Sequence, residues 1–396
     1  MAERPSLAFL VPTYNRAPHV TQLLRTLAAD GDVRDERVCV LVGDNASEDG
    51  TPDAIRAVAA ECPHLDVRLH EHGQNLGATG NVSWLAQNAP AVDYVWCLGD
   101  DDAPLPGAVG KVLDCLAERP VSLLHLPHTF ETEHGVAARS ICPEETVYYA
   151  SSRELSRVYH HWVTFVSAAV VQRDALAGAA RELPTLSEWA PHIWFLNAGR
   201  DDECAVYGES LVRGGMDITW HATRTEILTS RLIEAYDEGL DRVMDDRDFA
   251  QYLDDFYPDV GRESWAQIPI ETLIAAHARF PDSRELRGIL FELARTTRNT
   301  DALQALDAAA RGTGAGEAAA AAVAEGEERF GAGDLHGAVE RFRAALGELP
   351  TCTEAWNDLG VVLHALGDPT ARQAFDVALM IDPQNDDAQA NLASAG

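Results

Sequence analysis

The stretch that decides the fold is YVWCLGDDD, residues 94–102. Its apolar residues run without polar alternation, which is typical of a strand buried on both faces of a parallel sheet. The run ends in three consecutive carboxylates, at the edge where open parallel sheets bind their ligands. Hard oxygen ligands of this kind suit Mg²⁺ or Mn²⁺ carrying a phosphate. Taken alone, the stretch fits a solvated acidic turn equally well.

Strands and helices alternate around this stretch. Apolar runs predict further strands at 7–11, 38–42, 67–70, 121–126, 164–171 and 204–207. Helices are predicted at 18–29, at 52–61, at 188–199 and from about Asn81 onward. The resulting βαβαβαβ order implies an α/β fold with a doubly wound, mostly parallel sheet. The ligand-binding loops would then be those that follow the strands.

The C-terminal part of the chain has a different pattern. From about residue 231 it is helical, and the segment RGTGAG at 311–316 predicts a flexible joint. Beyond the joint, Gly333 recurs as Gly367 and Pro350 as Pro383, at offsets of 34 and 33 residues. This period resembles the tetratricopeptide repeat, a helix-turn-helix unit that stacks on its neighbours.

Composition and charge exclude several classes of function. The formal net charge of −32 argues against binding a nucleic-acid backbone or an anionic membrane surface, since both require clustered Lys and Arg. The seven cysteines show no metal-binding spacing and fit a reducing cytoplasm. No apolar run is long enough for a membrane span, and residues 1–6 lead into a strand without a signal peptide. We therefore expect a cytoplasmic protein with no nucleic-acid partner.

Polar loops follow the first four predicted strands. They are PTYNR at 12–16, DNASEDGT at 44–51, NLGATGN at 75–81 and DDD at 100–102. Each loop alone fits an ordinary turn or helix cap. Together and in this order they resemble the glycosyltransferase family 2 domain of the GT-A fold, over about residues 5–230.

The resemblance implies a site for a nucleotide-sugar donor. In that family the loop beginning at Pro12 contacts the base, and Asp44 would accept the imide N–H of uracil or thymine. The family's Asp-x-Asp motif falls on Asp100 and Asp102, which would hold the ribose and a divalent ion; the triplet leaves open whether Asp101 is the spacer. The implied donor-binding residues are Pro12, Thr13, Tyr14, Asn15, Asp44, Asn45, Asn75, Gly77, Asn81, Asp100 and Asp101.

The resemblance also implies an inverting transfer, in which one carboxylate deprotonates the acceptor. Glu188 is the candidate base, although an acid at a helix start is also favoured by the helix dipole. The family commonly has Glu-Asp where this sequence has Glu188-Trp189. Trp189 and His192 are the candidate acceptor contacts, and His221 is a candidate third metal ligand beside Asp100 and Asp102.

These features predict an inverting, metal-dependent glycosyltransferase with a UDP- or dTDP-linked donor and Mg²⁺ or Mn²⁺ as cofactor. The acceptor would be a hydroxyl on a peptide, a protein or a glycan. The predicted regions are a transferase domain at 1–230, with a nucleotide-binding half at 1–120 and an acceptor half at 121–230, a helical extension at 231–311 and tetratricopeptide-like repeats at 312–396. The repeats would hold the acceptor or join a homodimer.

Two alternative functions stay open at this point. A sugar-phosphate nucleotidyltransferase also has an α/β nucleotide domain, but it needs a Gly-rich, basic loop that residues 12–16 lack. The second alternative is a non-catalytic tetratricopeptide scaffold with a vestigial transferase domain. The three retained carboxylates disfavour this second alternative.

Overall fold

The computed structural model describes residues 3–34, 36–132, 135–159, 165–184, 187–215, 230–260, 268–310 and 313–395. The chain divides into two compact units, Met1–Asp245 and Asp246–Gly396. The first unit is α/β and contains every strand of the described structure, whereas the described part of the second unit is helical.

The first unit is built on an eight-stranded sheet with the strand order β3-β2-β1-β4-β10-β6-β11-β9. Its strands are β1 Leu7–Thr13, β2 Val38–Asp44, β3 Asp66–Glu71, β4 Tyr94–Cys97, β6 Leu123–His125, β9 Val147–Tyr149, β10 Ala169–Gln172 and β11 Cys204–Val206. The pairs from β3 to β4 and the pair β6–β11 are parallel, whereas β10 is antiparallel to both of its neighbours. The predicted α/β fold with a mostly parallel sheet is confirmed.

Strands β1, β2 and β4 are largely buried because they are apolar on both faces, whereas the edge strand β3 is partly exposed. Every residue of β2 and of β4 is buried, as predicted for strands covered by helices on two sides. Helix α1 covers the sheet with one apolar face, on which Val20, Leu23 and Leu27 are each at most 2% exposed. The helices of this unit are α1 Ala17–Ala29, α2 Thr51–Glu61, α3 Gly77–Gln87, α4 Ala108–Glu118, α5 Ser152–Tyr159, α6 Arg173–Glu182, α7 Ala190–Ala198 and α8 Ser230–Asp237.

Two predicted boundaries in this unit are wrong. Helix α3 begins at Gly77 rather than near Asn81, since Gly77 adopts a left-handed conformation (φ 75°) that turns the chain into the helix. The strand predicted at 164–171 begins only at Ala169, because Val166–Ala168 form a 3₁₀ turn. Thr164, the first residue of that predicted strand, lies outside the described residues.

A second, four-stranded sheet was not predicted from the sequence. Its order is β5-β12-β7-β8, with β5 Ala103–Pro104, β7 His128–Thr132, β8 Gly135–Arg139 and β12 Val212–Gly214. Strand β5 directly follows the acidic loop, and β12 precedes Gly215. The small sheet therefore positions the chain on either side of the predicted donor site.

The second unit consists of helices in its described part. They are α9 Asp246–Val260, α10 Ile270–Arg279, α11 Arg284–Thr296, α12 Thr300–Ala310, α13 Gly314–Gly331, α14 Leu335–Glu348, α15 Thr353–Ala365, α16 Ala371–Ile381 and α17 Asp386–Ser394. Residues 314–316 of the predicted joint are helical, since α13 begins at Gly314, and residues 311 and 312 lie outside the described structure. No helix in the described parts of the chain combines the length and the apolar character that crossing a membrane requires.

The sequence repeat has a counterpart in the packing of these helices. A Cβ on Gly326 would lie 2.6 Å from the Phe342 ring, and a Cβ on Gly360 would lie 2.5 Å from the Phe375 ring. The missing side chain of Gly326 therefore lets α13 pack closely against α14. The missing side chain of Gly360 does the same for α15 and α16. The assignment of these helix pairs as tetratricopeptide repeats stays a prediction. The region boundaries predicted at residues 230 and 311 stay predictions as well.

Candidate active site

The ends of strands β1 and β2 bring the first two predicted loops together. Thr13 and Asp44 are partners in the parallel register, and the backbone N–H of Asn45 donates to the Thr13 carbonyl at 3.0 Å. The Thr13 hydroxyl in turn donates to Asp100 Oδ2 at 2.7 Å. Loops one, two and four therefore meet at one edge of the sheet. Beside them, Pro12 is the penultimate residue of β1 and Tyr14 is exposed.

Asp44 is a buried carboxylate with one oxygen held by the protein. Its Oδ2 accepts a hydrogen bond from the Ser47 amide at 3.0 Å, whereas its buried Oδ1 has no hydrogen-bond partner among the described residues. Asn15, which has a φ of 51°, ties the first loop to the second. Its backbone N–H donates to Ser47 Oγ at 2.8 Å, and its side-chain Oδ1 accepts from the backbone N–H of Glu48 at 2.7 Å. These hydrogen bonds tie the first and second loops together around Asp44 Oδ1, an acceptor atom that is available to a ligand.

The third loop is joined to the second through asparagine side chains. Asn45 Nδ2 donates to Asn75 Oδ1 at 2.9 Å and to the Gly77 carbonyl at 3.1 Å. Asn81 Nδ2 donates to the Gly43 carbonyl at 2.7 Å, and Asn81 Oδ1 is hydrogen-bonded to His72 Nε2 at 3.0 Å.

Asp102 is the most strongly braced of the three acids. Its Oδ2 accepts a hydrogen bond from the Ser167 hydroxyl, and its Oδ1 accepts from the Gly215 amide at 2.8 Å. The Ser167 hydroxyl also accepts from the Gly99 amide at 2.8 Å, so one side chain joins both ends of the acidic loop. Burial raises the pKa of Asp102 to about 7, although the Ser167 hydrogen bond lowers it.

Asp100 and Asp101 are paired with a cation from the first loop. Arg16 Nε lies 3.0 Å from Asp100 Oδ1, and Arg16 Nη2 lies 3.1 Å from Asp101 Oδ2. Burial raises the pKa of Asp100, while the Thr13 hydroxyl and the Arg16 charge act to lower it. In the described parts of the chain, no three His, Cys, Asp or Glu side chains are arranged to hold a metal ion.

The candidate base lies in a turn that is attached to helix α3. Glu188 is exposed in the turn before α7, and the carbonyl of its neighbour Ser187 accepts from Thr79 Oγ1 at 3.0 Å. Trp189 and His192 lie behind the turn and are buried, with ring centroids 5.7 Å apart. His221, the candidate third metal ligand, lies outside the described residues.

The sequence alone did not predict the residues that support this site. No role was predicted for Ser167 and Gly215, because each reaches Asp102 from a segment far along the chain, nor for His72, which lies nine residues before its partner Asn81. Arg16 ends the first loop, and its basic side chain directly after a predicted donor contact is visible in the sequence, but its ion pairs with the acidic loop are not.

With this geometry established, the chain can be compared with known proteins. Residues 8–177 match the family model of glycosyl transferase family 2. The chain therefore carries a glycosyltransferase family 2 domain, and the protein is a glycosyltransferase. A comparison with curated protein sequences finds no match.

The fold is similar to that of solved glycosyltransferase structures from S. aureus. The chain resembles TarS 1-349 alone, with UDP and with UDP-GlcNAc, at TM-scores of 0.52, 0.53 and 0.54. In each case the identity is 16%, and the match covers 77% of this chain and 89% of the other. The likeness establishes a GT-A fold. The family match favours a transferase over the nucleotidyltransferase and scaffold alternatives.

Proposed function

We propose that this glycosyltransferase takes a sugar from a UDP- or dTDP-linked donor and transfers it, with inversion, to an acceptor hydroxyl. The observation that carries the donor proposal is Asp44, whose buried Oδ1 has no hydrogen-bond partner among the described residues. A buried carboxylate oxygen needs a donor, and the N3–H imide of uracil or thymine supplies one. The complexes of TarS with UDP and UDP-GlcNAc support a uridine nucleotide.

A divalent ion, Mg²⁺ or Mn²⁺, fits the chemistry of the acidic loop. The Asp102 carboxylate accepts one hydrogen bond on each oxygen, which leaves a lone pair on each for an ion. We propose that Asp102 and Asp100 hold the ion and that the donor diphosphate and water complete its coordination. When bound, it would neutralise the charge of the leaving diphosphate.

Glu188 is proposed to be the general base of the transfer. Its carboxylate would take the proton of the acceptor hydroxyl as the acceptor oxygen forms a bond to C1 of the sugar. The bond from C1 to the β-phosphate oxygen breaks, and the nucleoside diphosphate leaves with the electron pair. The hydrogen bond between Thr79 and Ser187 supports this assignment, because it attaches the turn to the helix that follows loop three. Trp189 and His192, buried behind the turn, would shape its acceptor side from within.

The acceptor and the cellular setting are also proposals. The predicted repeats at 312–396 would bind a peptide, protein or glycan acceptor, or join two copies of the chain into a homodimer. Light scattering of the intact protein tests the homodimer. The cysteines are all free, which supports a reducing cytoplasm as the place of action.

Comparing nucleotides as inhibitors tests the donor proposal. UDP and dTDP should inhibit donor turnover more strongly than CDP, because cytosine N3 carries no hydrogen, and more strongly than GDP, because the N1–H of guanine lies on a larger, purine ring than the imide N–H of a pyrimidine. Asp44→Ala should raise the donor KM by about 10- to 100-fold, the effect of one hydrogen bond to a charged group, and change kcat less. The exposed Asp53→Ala, in helix α2, is the matched control. Stronger inhibition by GDP or CDP would refute the assignment of Asp44.

A further inference from the structure

Arg16 is held in contact with the acidic loop by the structure around it. Its side chain is 17% exposed, and its guanidinium bridges Asp100 and Asp101 at 3.0 and 3.1 Å. Asn15, immediately before it, turns the chain at a positive φ and is fixed by hydrogen bonds to the second loop. Arg16 also precedes α1, where its carbonyl accepts from the amide of Val20 at 3.1 Å. The arginine is therefore positioned by its backbone, and its side chain is the part that can move.

The charge of Arg16 offsets a local excess of negative charge. The three adjacent carboxylates occupy one loop, and Asp100 is only 7% exposed. Removing the cationic partner of a buried acid leaves an uncompensated charge, which is costly. A divalent ion at Asp100 would satisfy the same requirement. Because two cations at one carboxylate repel each other, Arg16 and a metal ion each weaken the other's contact with Asp100.

We propose that Arg16 is an internal cation that occupies Asp100 and Asp101 in the donor-free enzyme and competes with the divalent ion for Asp100. This inference rests on the metal site of the proposed function. A nucleoside diphosphate relieves the competition, since a guanidinium released from Asp100 can pair with a phosphate through two parallel hydrogen bonds. Arg16 is thus a positioning residue that couples metal binding to donor binding. The metal ion alone binds weakly, and it binds tightly together with the nucleotide.

Binding of Mn²⁺ alone, followed by electron paramagnetic resonance, tests the competition directly. Arg16→Gln should bind Mn²⁺ about tenfold more tightly than the wild type without nucleotide, which corresponds to about 1.4 kcal/mol. The tightening of Mn²⁺ binding by UDP should shrink in the same variant. Arg25→Gln is the matched control, because Arg25 lies on α1, the helix that Arg16 precedes, and its ion pair with Glu61 is exposed. The control should bind Mn²⁺ as the wild type does.

The outcomes separate this inference from the proposed function. If the wild type binds Mn²⁺ and Arg16→Gln binds it with the same or a lower affinity, the competition is overturned. The metal-dependent transferase of the proposed function then still stands. Absence of Mn²⁺ binding in every variant, even with UDP, overturns both. If Arg16→Gln does not fold, Arg16→Lys gives the answer, since one ammonium group cannot span both carboxylates as the guanidinium does. Its Mn²⁺ affinity must then exceed that of the wild type.

Discussion

Replacing Ser167 by alanine should destabilise the N-terminal unit more than an ordinary buried serine would. The Ser167 side chain is fully buried and makes two contacts with the acidic loop. Its hydroxyl donates to Asp102 and accepts from the Gly99 amide. Alanine removes both hydrogen bonds and leaves the half-buried Gly99 N–H without its acceptor.

The size of the effect follows from those two contacts. A hydrogen bond to a charged group contributes about 1.5–3 kcal/mol and a neutral one about 0.5–1.5 kcal/mol. We therefore expect Ser167→Ala to lower the free energy of unfolding by about 2–4 kcal/mol. The transfer rate should fall as well, because Asp102 would lose the group that orients one of its oxygens.

Urea unfolding at pH 8, followed by circular dichroism and by tryptophan fluorescence, measures this loss. Ser156→Ala is the matched control, since Ser156 is equally buried but its hydroxyl bonds the carbonyl of Arg153 in its own helix. That substitution should cost less than about 0.5 kcal/mol, because such local back-bonds contribute little to helix stability. A loss for Ser167→Ala no larger than that of the control would refute the bracing role of Ser167.

Three further outcomes are expected. Asp102→Asn should reduce transfer by at least about 100-fold, because asparagine keeps the size of the side chain but removes the charge that would hold the metal ion; near-normal turnover at saturating Mn²⁺ would contradict its role as a metal ligand. Gly43→Ala should cost about 1–3 kcal/mol, since its Cβ would clash with Asn81 Oδ1, whereas Gly178→Ala, with open space around it, should cost nothing. Burial lowers the pKa of His128 to about 4, so the unfolded chain binds more protons between pH 4 and 6.5, and stability decreases as the pH is lowered across that range; His128→Asn should remove about 2 kcal/mol of the loss measured from pH 7.5 to pH 5.

Much of the N-terminal fold follows from local sequence. The runs at 7–11, 38–42 and 94–98 are apolar on both faces, and only a sheet covered on both sides by helices can bury such strands. Their polar loops had to meet at one edge, because the strands are parallel. The contacts that Thr13 makes with Asn45 and Asp100 at that edge are consistent with this register.

The boundaries of several elements could not be read from the sequence. Helix α3 begins at Gly77 because that residue adopts a positive φ, which no hydrophobic pattern records. Strands β5 and β12 are two and three residues long, too short for a period of two to be recognised. Their pairing decides how the chain runs on both sides of the donor site.

The sequence by itself determined the class of fold, the order of the polar loops and the family to which the N-terminal domain belongs. These properties are local, since each depends on a run of neighbouring residues and on the spacing of a few turns. Only the tertiary structure decided which side chains complete the site. Ser167 and Gly215 reach Asp102 across 65 and 113 residues of chain, and Arg16 meets Asp100 although 84 residues separate them in the sequence. Contacts of this range arise from the packing of the whole domain, so no local pattern contains them.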